Sequence, residues 1–167
     1  MTLATHAVVG ASVAGIASQN PILAIIFAFL SHYLLDAFPH GHYKVLSHKK
    51  HKENPLSDDM VYGNQFLIDI SKIGLDFALG IGLSFLFFKT ASQTTNFIIL
   101  AGALAGVLPD ALQFVYWKIR SEPFIFLQKF HIANHSEKNF NDNRFKMVFT
   151  ELFIITLAIA FSKIFIS

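Results

Sequence analysis

The chain has 167 residues, enough for a single domain over 1–167, and 53% of them are hydrophobic against 14% charged, far below the roughly 25% charge of a soluble domain. Nineteen Phe beside nine Gly and five Pro exclude a disordered or collagen-like chain. The absence of Cys excludes disulfides, thiolate zinc sites and cysteine nucleophiles, so a metal site must draw on His and carboxylates. A net charge of +2 is too balanced for a nucleic-acid footprint, and no nucleic-acid partner is expected.

In chain order, apolar runs cover Leu3 to Ser18, Pro21 to Phe38, Ile73 to Phe88, Phe97 to Trp117 and Met147 to Ile166. The first lacks a basic n-region and reads as a helix rather than a cleaved leader. The runs predict an all-α integral membrane bundle of about five helices. A span needs about 20 residues, so the first and third are short and are expected to tilt or to extend through polar flanks. Gln19-Asn20-Pro21 predicts a tight hairpin between the first two. Two polar segments, 39–62 and 118–146, carry with Lys72 eleven of the 13 Lys and Arg, leaving Lys89 and Lys163 on the opposite side. The positive-inside rule then places both long loops and the N-terminus in the cytoplasm of an inner (plasma) membrane protein, with the C-terminus outside.

His32 and Asp36 are four apart, about 40° around a helix, and so face one way. His131 and His135 repeat the spacing in a segment that predicts a short amphipathic helix on the membrane surface. Asp110 follows Pro109 near the cytoplasmic end of the fourth helix, Asp76 lies one turn after Lys72, and His6 begins the first helix. All these positions fall on the cytoplasmic side. An isolated carboxylate at a helix centre costs about 2.5–3.5 kcal/mol, and deep cations to pair with three Asp are few. A divalent metal, zinc first and one or two ions, satisfies several acids at once. It would acidify a bound water for phosphoester hydrolysis.

The Thr5-His6 pair, the run Ser31 to His40 (SHYLLDAFPH), Gly106 to Asp110 (GVLPD) and His131-x3-His135 together resemble the small bacterial membrane-bound metal-dependent hydrolases, often likened to zinc-dependent phospholipase C. The resemblance spans most of the chain. It implies a metallohydrolase with His32, Asp36, Asp110, His131 and His135 as ligand candidates, joined by His6 and Asp76; with basic loops to recruit anionic lipid, the substrate expected is a phospholipid headgroup at the cytoplasmic leaflet.

Other residues have ordinary readings. His42, His48 and His51, interleaved with lysines, read as a solvated basic loop attracted to anionic lipid. His40 can turn back toward the helix end. Asp69 is a reserve ligand, and Glu151, an intramembrane acid, is a candidate general base. The alternative to an enzyme is a non-catalytic membrane protein using the same His/Asp cluster for metal or proton transport, or as a structural metal site.

Overall fold

The computed structural model describes residues 1–165. These form α1 (Leu3–Ile16), α2 (Pro21–Asp36), α3 (Asn64–Phe88), α4 (Gln93–Ile119), α5 (Phe124–Asn134) and α6 (Arg144–Phe165). A small antiparallel hairpin, β1 (His48–Lys49) with β2 (Asp59–Met60), interrupts the long connection from α2 to α3. Three helices, α3, α4 and α6, are long and apolar enough to cross a membrane. The helical class expected from the composition is therefore present, including the short helix that carries His131.

Local chemistry sets the boundaries. Thr2, Asn20 and Ser92 cap α1, α2 and α4 with side-chain oxygens on free amides, and Pro21 begins α2 where no donor is lost. Helix α4 runs unbroken through Pro109, and Arg120 ends it in the left-handed conformation, φ 50°. The third helix departs from the expectation of a short span. It begins at Asn64 and has 25 residues, because its polar first turns are held by tertiary bonds. Asp69 accepts from the Ser47 amide at 2.7 Å and hydroxyl at 2.8 Å and lies 3.4 Å from Lys72 Nζ. Helix α1 is short as expected, and α2 is the second short one, with 14 and 16 residues, about 21 and 24 Å long against a hydrocarbon core of about 30 Å.

Helix α1 is the hub, packing on α2, α3, α4 and α6. It is buried on nearly every side and built from Ala, Gly, Ser, Thr and Val, as expected for a helix with no solvent face. Small residues let the backbones meet. A Cβ placed on Gly106 of α4 would lie 2.5 Å from the His6 carbonyl, and one on Gly80 of α3 would lie 2.7 Å from Ala4 Cα. The outer helices present large apolar side chains outward, among them Leu75, Leu79 and Leu86 of α3 and Phe149, Phe153 and Phe161 of α6.

Gly106→Val is expected to destabilise the fold by about 3 kcal/mol, the upper end of overpacking, because backbone is the obstacle. Gly82 has nothing within 4 Å of an added Cβ, so Gly82→Ala should be neutral or gain up to about 1 kcal/mol of helix propensity. Thermal unfolding in detergent, followed by circular dichroism, checks the pair. Equal effects would remove the close-packing account.

Candidate metal centre

The last turn of α2 carries His32 and Asp36 on one face, and four other segments bring side chains to it. Asp36 Oδ2 lies 3.1 Å from His32 Nε2 and 3.3 Å from His131 Nε2 of α5. Asp36 Oδ1 faces His6 Nε2 of α1 at 3.3 Å and His40 Nε2 at 3.5 Å, with the Met1 amine at 3.7 Å. Asp110 of α4 completes the arrangement, its Oδ1 3.7 Å from His32 Nε2 and 3.9 Å from His131 Nε2. His6, His32, Asp36, His40 and His131 are buried, whereas Asp110 is partly open to a cleft.

Second contacts fix how the rings present themselves. His32 Nδ1 donates to the Gly106 carbonyl at 2.8 Å and His40 Nδ1 to the Phe38 carbonyl at 2.7 Å. A carbonyl only accepts, so both rings turn an Nε2 lone pair toward the acids, the arrangement that commonly orients a metal-binding imidazole. Burial holds His40 down at about 4, with the Met1 amine adding to the effect, and burial also lowers His135. Both rings are therefore neutral at neutral pH.

Among the described residues, two groups have donor atoms within 4.8 Å of one another: His32, Asp36, Asp110 and His131, and separately His40, His42 and His135. Ligands about 2.0–2.2 Å from a tetrahedral ion stand roughly 3.3 Å apart, and the nitrogen–oxygen separations of 3.1 to 3.9 Å in the first group bracket that value. His32 Nε2, Asp36 Oδ1 and both nitrogens of His6 are buried without hydrogen-bond partners among the described residues. Buried polar atoms are seldom left so. His131 Nε2 and Asp36 Oδ2 are hydrogen-bonded at 3.3 Å, and the remaining unpartnered donor atoms gathered around them fit a cation.

The spacing argument for His131 and His135 changes in detail. Asn134 ends α5 and His135 is its cap, so the two rings serve different groups. His42, read from sequence as part of a lipid-attracted loop, stands with His40 and His135 instead. Its signal was the alternation His40-Gly41-His42, since extended backbone puts alternate side chains on one side. The segment is held beside 136–141 by bonds from Phe140 N to His40 O at 3.0 Å and from His42 N to Asn141 Oδ1 at 2.8 Å. His48 pairs with Asp58 at 3.3 Å and stacks on Trp117, outside both groups.

Three acids lie elsewhere. Asp76, expected as a ligand, accepts from the Leu3 and Ala4 amides at 2.7 and 3.3 Å, a carboxylate on the positive end of α1. Glu151, expected as a general base, accepts from Thr2 N at 3.1 Å, Thr2 Oγ1 at 2.8 Å and the Thr5 hydroxyl. Asp69, the reserve ligand, anchors the hairpin. Asp76 and Glu151 thereby hold the end of α1 from which His6 projects.

The cleft beside the two groups has a volume of about 1190 Å³. Asp36, Asp110, His131 and His135 line one part of it, and Ile70, Ile73, Val107 and Phe114 another; Lys44, Lys50 and Arg144 add positive charge. No protein-family model, no curated protein and no solved structure matches the chain.

Glu151→Ala leaves the Thr2 and Thr5 donors unpaired and is expected to cost about 1–3 kcal/mol in thermal unfolding. Glu151→Gln, by contrast, should keep the wild-type metal content measured by elemental mass spectrometry, because Glu151 belongs to neither donor group. Loss of metal in the Gln variant would place this side chain in the coordination shell.

Proposed function

We propose that the protein is a membrane-embedded metal-dependent hydrolase acting on a phosphoester, with a phospholipid headgroup as the substrate class. The observation that carries this reading is the convergence of His32, Asp36, Asp110 and His131, from three separate helices, beside a cleft that Asp36, Asp110 and His131 line together with apolar and basic side chains. A purely structural metal site is closed, whereas Asp110 is partly exposed to the cleft. The resemblance to membrane-bound metal-dependent hydrolases points the same way.

In this reading His32, Asp36, Asp110 and His131 hold a divalent ion, zinc by the nitrogen and oxygen character of the donors. When bound, such an ion supplies a water acidified to near-neutral pKa and polarises a phosphoryl oxygen. The chain's own residues do the rest. Lys44, Lys50 and Arg144 attract the phosphate, and the side chains of Ile70, Ile73, Val107 and Phe114 pack along an acyl chain and exclude water. Gly106 keeps the His32 ring in one tautomer. Helices α3, α4 and α6 cross the membrane with the donor groups on the basic, cytoplasmic side.

Transport would require polar groups continuing away from the cluster. The interior there is made mainly by Val8, Ala11, Ile99 and Ala103 in one apolar cluster and Ala14, Ala24, Ala28 and Ile98 in another, and its buried serines, Ser12, Ser84 and Ser162, bond to one another or to helix carbonyls and carry no titratable group. That core favours a site reached from one side.

The test is hydrolysis of phospholipid extracts by purified protein in detergent, read by thin-layer chromatography and released phosphate, before and after chelation and zinc return. Chelation should abolish turnover and zinc restore it, and His32→Ala or Asp110→Ala should lower it by about a hundredfold or more. Protein that contains no metal, with content and turnover indifferent to both substitutions, would overturn the proposal.

A further inference from the structure

Asp36 has two carboxylate oxygens, and they face different sets of imidazoles. Oδ2 belongs with His32 and His131, while Oδ1 faces His6 Nε2 at 3.3 Å, His40 Nε2 at 3.5 Å and the Met1 amine at 3.7 Å and has no hydrogen-bond partner among the described residues. Beyond Oδ1 stand three rings packed together: His40 and His42 with centroids 4.5 Å apart, His40 and His135 at 4.8 Å, His42 and His135 at 5.1 Å. His40 Nε2 and His42 Nε2 are 3.0 Å apart. His135 Nδ1 donates to the Ser136 carbonyl at 3.1 Å, so its Nε2 is also a lone pair. A single hydrogen bond between His40 and His42 satisfies that pair alone. The Met1 amine lies 3.3 Å from His42 Nδ1 and 3.7 Å from Asp36 Oδ1, while the donor atoms of His40, His42 and His135 all stand within 4.8 Å of one another.

We propose that His40, His42 and His135, with Asp36 Oδ1, form a second divalent-cation site, and that Asp36 bridges it to the ion held by His32, Asp110 and His131. The inference rests on the hydrolase reading for the first ion and extends it to a carboxylate-bridged pair. Bridged pairs stand about 3.5–4 Å apart and clamp both the attacking and the leaving oxygen of a phosphoester. His42 is exposed while His40 is buried, so the second site faces the cleft from its open side and is the more exchangeable. His6 Nε2, 3.3 Å from the same Oδ1, approaches the bridge from α1.

The probes are the metals alone, added to the full chain in detergent. Elemental mass spectrometry should find two zinc ions per chain in the wild type and one in the His42→Ala/His135→Ala double variant. With Mn²⁺ in place of zinc, the electron paramagnetic resonance spectrum of the wild type should show an exchange-coupled pair, reduced to the isolated six-line signal in the double variant. Because the coupling is read on unmutated protein, a variant that fails to fold does not decide the matter. One ion per chain with an isolated six-line signal overturns the second site, and so do two ions without coupling. If that single-ion protein still hydrolyses phosphoester, the proposed function stands alone; if no ion is bound, both readings fall.

Discussion

Asp36 is the constraint on which the arrangement depends. A carboxylate taken out of water is tolerated only where opposite charge or donors replace its hydration, and the atoms that face this one are Nε2 of His6, His32, His40 and His131, contributed by α1, α2, the following loop and α5, with the Met1 amine at 3.7 Å. Its backbone takes part as well, since the Asp36 carbonyl accepts from Ser136 N at 2.8 Å. That bond, with Asn134 bonded to the Tyr33 carbonyl and Phe130 edge-on to Tyr33 at 4.8 Å, docks α5 onto α2. The acid thus gathers the segments that complete its own surroundings.

Bringing His6 within reach of α2 requires helix axes closer together than large side chains permit. The small residues of α1 and the glycines of α4 meet that need: Gly102 and Gly106 are four apart and present one smooth strip to Gly10 and the His6 carbonyl. The same strip brings the Gly106 carbonyl to His32 Nδ1. Helix packing and imidazole orientation are therefore two consequences of one run, and a side chain at Gly106 would disturb both. The acids at the end of α1 work with it. Asp76 and Glu151 tie its first turn to α3 and α6 and set the height at which His6 enters.

Much of this was legible in the residue order. The runs separated by Asn20-Pro21 and by 89–95 showed the helices, and the i, i+4 pair His32/Asp36 showed one face of the centre. Asp110 and His131 were legible as well, through their place at the basic ends of apolar runs. What escaped was set by tertiary contacts. The start of α3 was hidden because Asn64 to Lys72 is polar, and only Ser47 reaching Asp69 shows why that stretch is held. His42 was masked by the lysines that follow it in the sequence, Lys44, Lys49, Lys50 and Lys52. Asp76 and Glu151 looked like isolated acids because their partners are amides and hydroxyls at the opposite end of the sequence, more than 70 residues away. Hydropathy carries no trace of such bonds.

The division of labour between the two ends of the bundle follows from what each element can afford to expose. At one end the chain has long connections, so backbone carbonyls such as those of Phe38 and Ser136 are free to orient imidazoles, and the 44–62 hairpin lies against α4 through Tyr116 Oη on Leu56 O at 2.7 Å and Lys118 on Asp59 at 2.7 Å. At the other end the connections 17–20 and 89–92 are tight and the interior is mostly alanine and isoleucine, with Ser12, Ser84 and Ser162 bonded to one another or to helix carbonyls. Short turns leave few spare carbonyls, and a core of methyl groups leaves none. Buried titratable groups are consequently gathered at the end where the chain has length to supply second contacts, and the short α1 and α2 bring His6 and Asp36 to that end.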